Sequence, residues 1–267
     1  MICFPNAKIN LGLRILQKRD DGFHDIQSCI VPIPLCDVME IHESGQFKIE
    51  VFGAVMGANP KDNIIYKTWE KLNDSFDIPA FEVKLIKNIP LQSGLGGGSS
   101  DAAFFLKEVN AAYGLGITDD GMEMFLESLG SDCPFFVRNR IAMAYSKGEA
   151  LKGCELDLSG LHLTIIKPDH NISTSTAYGK VVPNSHEKPL SELLKLPLPT
   201  WKDNVFNDFE KTVVAQMPEL SSIKGLLYDS GAEYVSLSGS GSAIYALSVD
   251  KLDVSGVGGG FIRQAAF

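Results

Sequence analysis

From Ala7 to Ile15 the side chains alternate, with Ala7, Ile9, Leu11, Leu13 and Ile15 on one side and Lys8, Asn10, Gly12 and Arg14 on the other. A period of two predicts a strand with one buried and one polar face. Phe47–Phe52 and Phe81–Ile86 carry further strand signals, and Asn63–Leu72 between them has helical spacing. Asp101–Tyr113 sets Ala102, Phe105, Leu106, Val109 and Tyr113 close to one face and stops before Gly114, which predicts an amphipathic helix; Asp119–Leu129, ending at Gly130, predicts a second. Ile141–Ser146 reads as a strand, and near Gly148–Leu158 the pattern restarts.

In the second half LHLTIIKP reads as a strand and a polar, proline-punctuated connection runs from Asp169 to Lys202. Phe206–Gln216 and Leu220–Asp229 have helical spacing, and Tyr234–Leu247 reads as two strands about a turn, LSGSGS. The terminal SGVGGGFIRQAAF is glycine-rich and is expected to be flexible. Strands and helices grouped without strict alternation predict an α+β fold. The restart places a soft boundary near residue 150, giving domains of residues 1–150 and 151–267.

Composition narrows the partners. The 267 residues, 45% hydrophobic and 21% charged, are those of a globular protein that can bury a sizeable core. With 24 Lys and Arg against 33 Asp and Glu, the net charge of −9 argues against a nucleic-acid or anionic-membrane surface. Any phosphate must then be held locally, by backbone dipoles and a few lysines. Cys3, Cys29, Cys36, Cys133 and Cys154 are scattered and form no CxxC pair, so reduced thiols in a cytoplasmic protein are expected, with no zinc or redox motif. The N-terminus shows no signal-peptide pattern, and no apolar run approaches membrane-spanning length.

The densest chemical signal is IPLQSGLGGGSSDAA, Ile89 to Ala103, with four glycines among five residues and then two serines. It lacks the lysine of GxxxxGK[ST], and neither Gly94 nor Gly96 starts a GxGxxG. A tight turn would explain fewer glycines; this many point to an anion site, with bare amides and a helix N-terminus turned toward phosphate and Ser100 within reach of a metal. Lys8 on a strand is ordinarily a solvated edge residue, but beside Asn10 it also suits a pocket floor. Asp132, in Gly130-Ser131-Asp132-Cys133-Pro134, has the ordinary role of a helix N-cap and the alternative role of a base. In RDDGFHDIQS the ordinary reading packs Phe23 and leaves His24 in a surface turn, and LSGSGS is either a hairpin turn or a loop that closes over substrate from an opposite domain. Asp101 either helps hold Mg²⁺ or turns outward as a first-turn acid, the latter being favoured.

Taken together, KINLGL with GFHDIQS, IPLQSGLGGGSSDAA and SLSGSGSAIY resemble, in order, the three motifs of the GHMP kinases. Within that superfamily they are most similar to the branch that phosphorylates 4-diphosphocytidyl-2-C-methyl-D-erythritol. The resemblance implies a two-domain fold, ribosomal protein S5 domain 2-like then ferredoxin-like, with ATP as co-substrate and Mg²⁺. It assigns catalysis to Lys8 and Asp132, and ATP binding to Asn63, Pro90, Gly94, Leu95, Gly96, Gly97, Gly98, Ser99 and Ser100. Substrate binding falls on Asn10, Phe23, His24, Thr174, Tyr178, Gly239 and Ser240, with cytosine stacked between Phe23 and a Tyr178 brought from the other domain. Phe23 stands where tyrosine is common, and Gln92-Ser93 replaces a pair of small residues. Two rivals are a homoserine or mevalonate type of kinase, whose substrate has no base for Phe23 and His24, and a non-catalytic nucleotide sensor, which needs neither Lys8 nor Asp132. A purely structural domain would leave both glycine–serine loops unexplained.

Overall fold

A short β1 (Ile2–Cys3) leads into β2 (Asn6–Lys18), the strand foretold by the alternation, in a computed structural model that describes all residues except 54–58, 171–176, 180 and 259. There follow β3 (His24–Cys36), β4 (Val38–Ser44), β5 (Lys48–Phe52), α1 (Ile64–Asn73), β6 (Ala80–Ile86), α2 (Gly97–Tyr113), α3 (Asp119–Glu127) and α4 (Phe135–Arg138). The rest comprises β7 (Ala142–Tyr145), β8 (Ala150–Gly153), β9 (His162–Lys167), α5 (Leu190–Leu193), α6 (Glu210–Gln216), α7 (Glu219–Asp229), β10 (Tyr234–Leu237), β11 (Ile244–Ser248) and β12 (Phe261–Ala266).

These elements form two compact units that interleave along the chain: residues 1–7, 35–91 and 96–140, then residues 8–34, 92–95 and 141–267. Residue 150, where the sequence pattern suggests a break, opens β8 inside the second unit.

The first unit is built on a sheet of order β1-β4-β6-β5. Only β5 and β6 run parallel, because α1 carries the chain back to the starting end between them. Buried Phe105 of α2 meets Phe81 of β6 edge to face, with ring centroids 5.7 Å apart, which seats α2 on the sheet.

The second unit holds two sheets, β2-β3-β7-β8 and β10-β11-β9-β12. Leu13, Ile15 and Ile26 from the first, Val235 and Ile244 from the second, and Phe209, Val213, Ile223 and Leu227 from the helical region share one core. The C-terminal stretch expected to be flexible is instead β12, paired antiparallel along β9 from Phe261↔Lys167 to Ala266↔His162. Its glycines are a lead-in: Gly260, at φ +86°, lies so close to the Lys167 carbonyl that a Cβ would come within 2.4 Å of it.

Candidate functional site

In the first unit the glycine run is the helix itself. α2 starts at Gly97, four residues ahead of the expected Asp101, behind a left-handed Gly96 (φ 74°) that supplies no side-chain cap. The first-turn amides have no intrahelical acceptor, and the positive end of a 17-residue helix stands behind them, as an anion site requires. Glycine is needed at position 97 because a Cβ would sit 2.9 Å from Ile89 Cγ2 and 3.2 Å from Lys87 Nζ. Ser99 is partly accessible, whereas Ser100 is buried with its hydroxyl unpaired among the described residues.

Asp101 corrects the sequence reading. It faces inward, and Lys87 Nζ donates to its Oδ2 at 2.7 Å while also bonding Asp37 Oδ2. Asp37 Oδ1 in turn accepts the backbone amides of Asn88 (2.7 Å) and Ile89 (2.8 Å). The triad therefore ties the chain entering the glycine segment to the first turn of the helix that leaves it. Burial pushes the Asp101 carboxyl up to about 8; Lys87 opposes that shift and Asp37 reinforces it. Burial alone would lower the Lys87 pKa, but the two carboxylates hold it above the ordinary lysine value.

Asp132 is not the N-cap of α4; that position is Pro134, and Asp132 lies half-buried two residues earlier. Its turn packs on α2, since a Cβ on Gly130 would lie 3.0 Å from Cys133 Sγ and 3.8 Å from Ser99 Oγ. Asn63 caps α1 through its Oδ1, which accepts the Ile65 amide at 2.8 Å. A Cβ on Gly98 would be 3.9 Å from Ile64 Cγ2, so Asn63, Gly98, Ser99 and the Asp132 turn form one neighbourhood. Pro90 is half-buried at the end of the segment held by Asp37.

In the second unit, the polar face of β2 is buried at Lys8, Asn10 and Arg14. Lys8 and Asn10 are each 3% exposed, which rules out a solvated edge lysine. Lys8 Nζ donates to Asn10 Oδ1 (2.6 Å), Asn10 Nδ2 to Ser28 Oγ (2.8 Å), and Ser28 Oγ to the Gly12 carbonyl (2.7 Å). Tyr245 Oη donates to the Asn10 carbonyl at 2.8 Å. The Lys8 amide bonds the Leu95 carbonyl at 2.9 Å, which ties this strand to the glycine segment.

The LSGSGS turn meets that segment inside the same unit, not from an opposite domain. Ser238 Oγ donates to the Gly94 carbonyl at 2.9 Å, and the Ala243 amide to the Ser93 carbonyl at 3.0 Å. A Cβ on Gly239 would stand 3.2 Å from Gly94 O and 3.4 Å from Asn10 Oδ1, and Asn207 Nδ2 holds the Gly239 carbonyl at 2.8 Å. Ser240 beside it is half-buried. Gln92 bends the chain with φ 51°, a left-handed conformation in which a side chain is uncommon.

Phe23, His24 and Tyr178 share the second unit as well. Tyr178 rests on His24, ring centroids 5.2 Å apart, and on Phe209 at 4.7 Å. Phe23 is 56% exposed, with Lys147 Nζ 5.4 Å from its ring centroid. Burial, and secondarily the charge of Lys18, lower the His24 pKa. Thr174 lies outside the described residues. The contacts of Ser28, Tyr245 and Ser238, and the Asp37–Lys87 pair that holds Asp101, escape sequence reasoning, because a lone polar residue in a strand or turn carries no pairing signal.

An uncapped glycine helix start, a buried lysine–asparagine pair and a histidine–tyrosine contact can be set beside known proteins. The GHMP kinases N terminal domain model matches residues 63–140, and the GHMP kinases C terminal model residues 190–258. A 4-diphosphocytidyl-2-C-methyl-D-erythritol kinase from Parabacteroides distasonis is 42% identical over 247 residues, covering 92% of this chain and 91% of its own. The chain belongs to the GHMP kinase family. The namesake kinase of Bacteroides thetaiotaomicron is likewise 42% identical, over 251 residues and 92% of both chains. A crystal structure of 4-(cytidine 5'-diphospho)-2C-methyl-D-erythritol kinase superimposes with a TM-score of 0.79 at 28% identity, covering 92% of this chain and 90% of that one. This GHMP kinase is thus an ATP-dependent small-molecule kinase with the two-domain α+β fold of its family. The C-terminal match falls within the second unit, and the N-terminal match within the first apart from residues 92–95.

Proposed function

We propose that this GHMP kinase transfers the γ-phosphoryl group of ATP to the 2-hydroxyl of 4-diphosphocytidyl-2-C-methyl-D-erythritol, giving the 2-phosphate and ADP in non-mevalonate isoprenoid precursor synthesis. The observation that carries this reading is similarity over 92% of the chain, at 42% identity, to relatives named for that kinase. No described helix is long and apolar enough to cross a membrane, and the reading takes the enzyme as cytoplasmic.

Phosphoryl transfer asks the protein chiefly for in-line positioning and neutralisation of charge. The amides about Gly94, Leu95, Gly96, Gly97 and Gly98, with Ser99 and Ser100 in the first turn of α2, are assigned to the ATP phosphates, and Pro90 shapes the entry. Asn63 spends its Oδ1 on capping α1, which leaves its amide nitrogen to donate to adenine. Mg²⁺ enters as part of the MgATP co-substrate, which supplies phosphate oxygens and water as ligands. Asp132 accepts the proton of the 2-hydroxyl; a weakly basic carboxylate suffices when the proton leaves late in a loose transition state. Lys8, held by Asn10, offsets the charge that builds on the hydroxyl oxygen.

His24, with its lowered pKa, is neutral at neutral pH, so one ring nitrogen donates and the other accepts at the hydrogen-bonding edge of cytosine. Phe23 offers an exposed ring for stacking, a contact of about 1–3 kcal/mol. Tyr178 backs His24, and Thr174, Gly239 and Ser240 complete the substrate set. The test is ³¹P NMR of the protein with MgATP and diphosphocytidyl-methylerythritol, run beside homoserine and mevalonate. A new phosphomonoester resonance with the first acceptor alone, matched by ADP, is the expected outcome. Transfer to another alcohol instead would discard the cytidine pocket; ATP binding without transfer to any acceptor would discard the kinase reading.

A further inference from the structure

We infer that Ser28 is a positioning residue for Lys8: it fixes the direction of a buried hydrogen-bond chain that presents the Asn10 oxygen, rather than its nitrogen, to the lysine ammonium. The inference rests on the proposed catalytic role of Lys8.

The direction follows from donor chemistry alone. The Gly12 carbonyl can only accept, so at 2.7 Å the hydrogen between it and Ser28 must be that of the serine hydroxyl. Ser28 Oγ is then left with lone pairs toward Asn10, and the Asn10 group that meets it at 2.8 Å must be a donor, the Nδ2 amide. The amide is planar, so Oδ1 points the other way, where Lys8 Nζ lies at 2.6 Å. The sequence Gly12 carbonyl, Ser28 hydroxyl, Asn10 amide, Lys8 ammonium has one consistent polarity. All three side chains are buried, Ser28 completely, so water does not substitute for a missing member. Tyr245 holds the backbone carbonyl of Asn10, which limits relief by movement of the strand.

Without the serine hydroxyl the Asn10 NH₂ is left buried without its acceptor, and only the contact with Lys8 still sets the orientation of the amide. Rotated by half a turn, it would direct its NH₂ at an ammonium, and Lys8 would have to withdraw from its position. Ser28 touches no reacting atom in this scheme; it acts through Asn10 on the place of Lys8.

The experiment compares Ser28→Ala, Ser28→Thr, Asn10→Asp and Lys8→Met by steady-state kinetics, with thermal unfolding as a check on folding. Ser28→Ala is expected to lower kcat roughly 10- to 100-fold with KM for ATP within about twofold, and Ser28→Thr to recover most of the loss. Asn10→Asp keeps an acceptor for Lys8 but cannot donate to Ser28, so it too is expected to lose kcat. A crystal structure of Ser28→Ala should show the Asn10 amide rotated or Lys8 displaced.

Full kcat in folded Ser28→Ala or in Asn10→Asp, with Lys8→Met inactive, would overturn the relay and leave the catalytic lysine standing. Full activity of Lys8→Met would instead remove the reading on which the relay rests. Equal loss in kcat and in affinity for both substrates, with an unmoved Asn10, would make Ser28 merely structural and overturn the inference. If Ser28→Ala does not fold, Asn10→Asp and Ser28→Thr decide the matter by the same kinetic split.

Discussion

At Asp101, burial and ion pairing pull in opposite directions. Lys87 favours the carboxylate, while removal from water and the nearby Asp37 favour the acid, and the outcome is a carboxyl raised from 3.8 to about 8. Cys3 feels the same charge, its thiol being pushed up to about 12 by burial first and then by Glu108 and Asp101. A folded-state pKa above the unfolded one means that the native state holds the proton more tightly. The stability this contributes is fully present below the unfolded value and is lost as pH rises through about 8. Asp101→Asn keeps an acceptor for Lys87 but has nothing to titrate, so its stability should decline less between pH 5 and 9 than that of the parent. Urea midpoints of the two proteins across that range test this; parallel curves would show that Asp101 is ionised throughout. The side chain that the sequence reading turns outward as a first-turn acid thus serves as a buried anchor for the start of α2.

Among the secondary-structure elements, legibility followed how each one balances apolar pattern against backbone signals. The strict alternation of β2 and the helical spacing behind α1, α3 and α7 identify those elements, as LHLTIIKP identifies β9. In β3 the alternation of buried Val31, Ile33 and Leu35 is present, but Pro32 and Pro34 stand between them and argue against a strand; both point to the less buried side. α2 begins early because first-turn amides need no helical acceptor, so glycines that read as loop are tolerated as helix. Of the site, the glycine segment and the Lys8–Asn10 pair are visible as motifs, whereas the contacts of Ser238 with Gly94 and of Lys87 with Asp101 join residues far apart in sequence. β12 was masked by its glycine approach, and it carries a prediction. It covers the edge of β9, and Gln264 Nε2 bonds both Thr164 Oγ1 (3.1 Å) and the Leu252 carbonyl (3.0 Å). Deleting residues 261–267 should lower Tm by several degrees, at about 2–4 °C per kcal/mol, and promote association through the bared edge. Unchanged Tm in differential scanning calorimetry together with an unchanged elution volume would return the tail to the flexible role its composition suggests.

Over the whole molecule, a net charge of −9 must be reconciled with the two anionic substrates of the proposed reaction, a nucleoside triphosphate and a diphosphate-bearing alcohol. The long-range field repels both, and in the proposed reaction attraction has to come from groups at contact distance: the helix amides of α2, with Lys8 as a further cation. These two influences respond differently to salt. At an ionic strength of 0.01 M the screening length is about 30 Å, so the approaching nucleotide feels most of the protein's charge. At 0.15 M the length falls to about 8 Å, and only the nearest groups remain in effect. Amide dipoles act over the first turn of a helix, at contact distances well inside a screening length, so salt weakens them less than it weakens the long-range field. Screening therefore removes more repulsion than attraction, and the association rate constant for ATP should rise as salt is added over this range. Stopped-flow measurement with a fluorescent nucleotide, at fixed free Mg²⁺, reads the slope directly. A rate that falls steeply with salt would mean that a local basic funnel outweighs the net charge; recognition would then rest on steering lysines instead of a neutral, dipolar cradle.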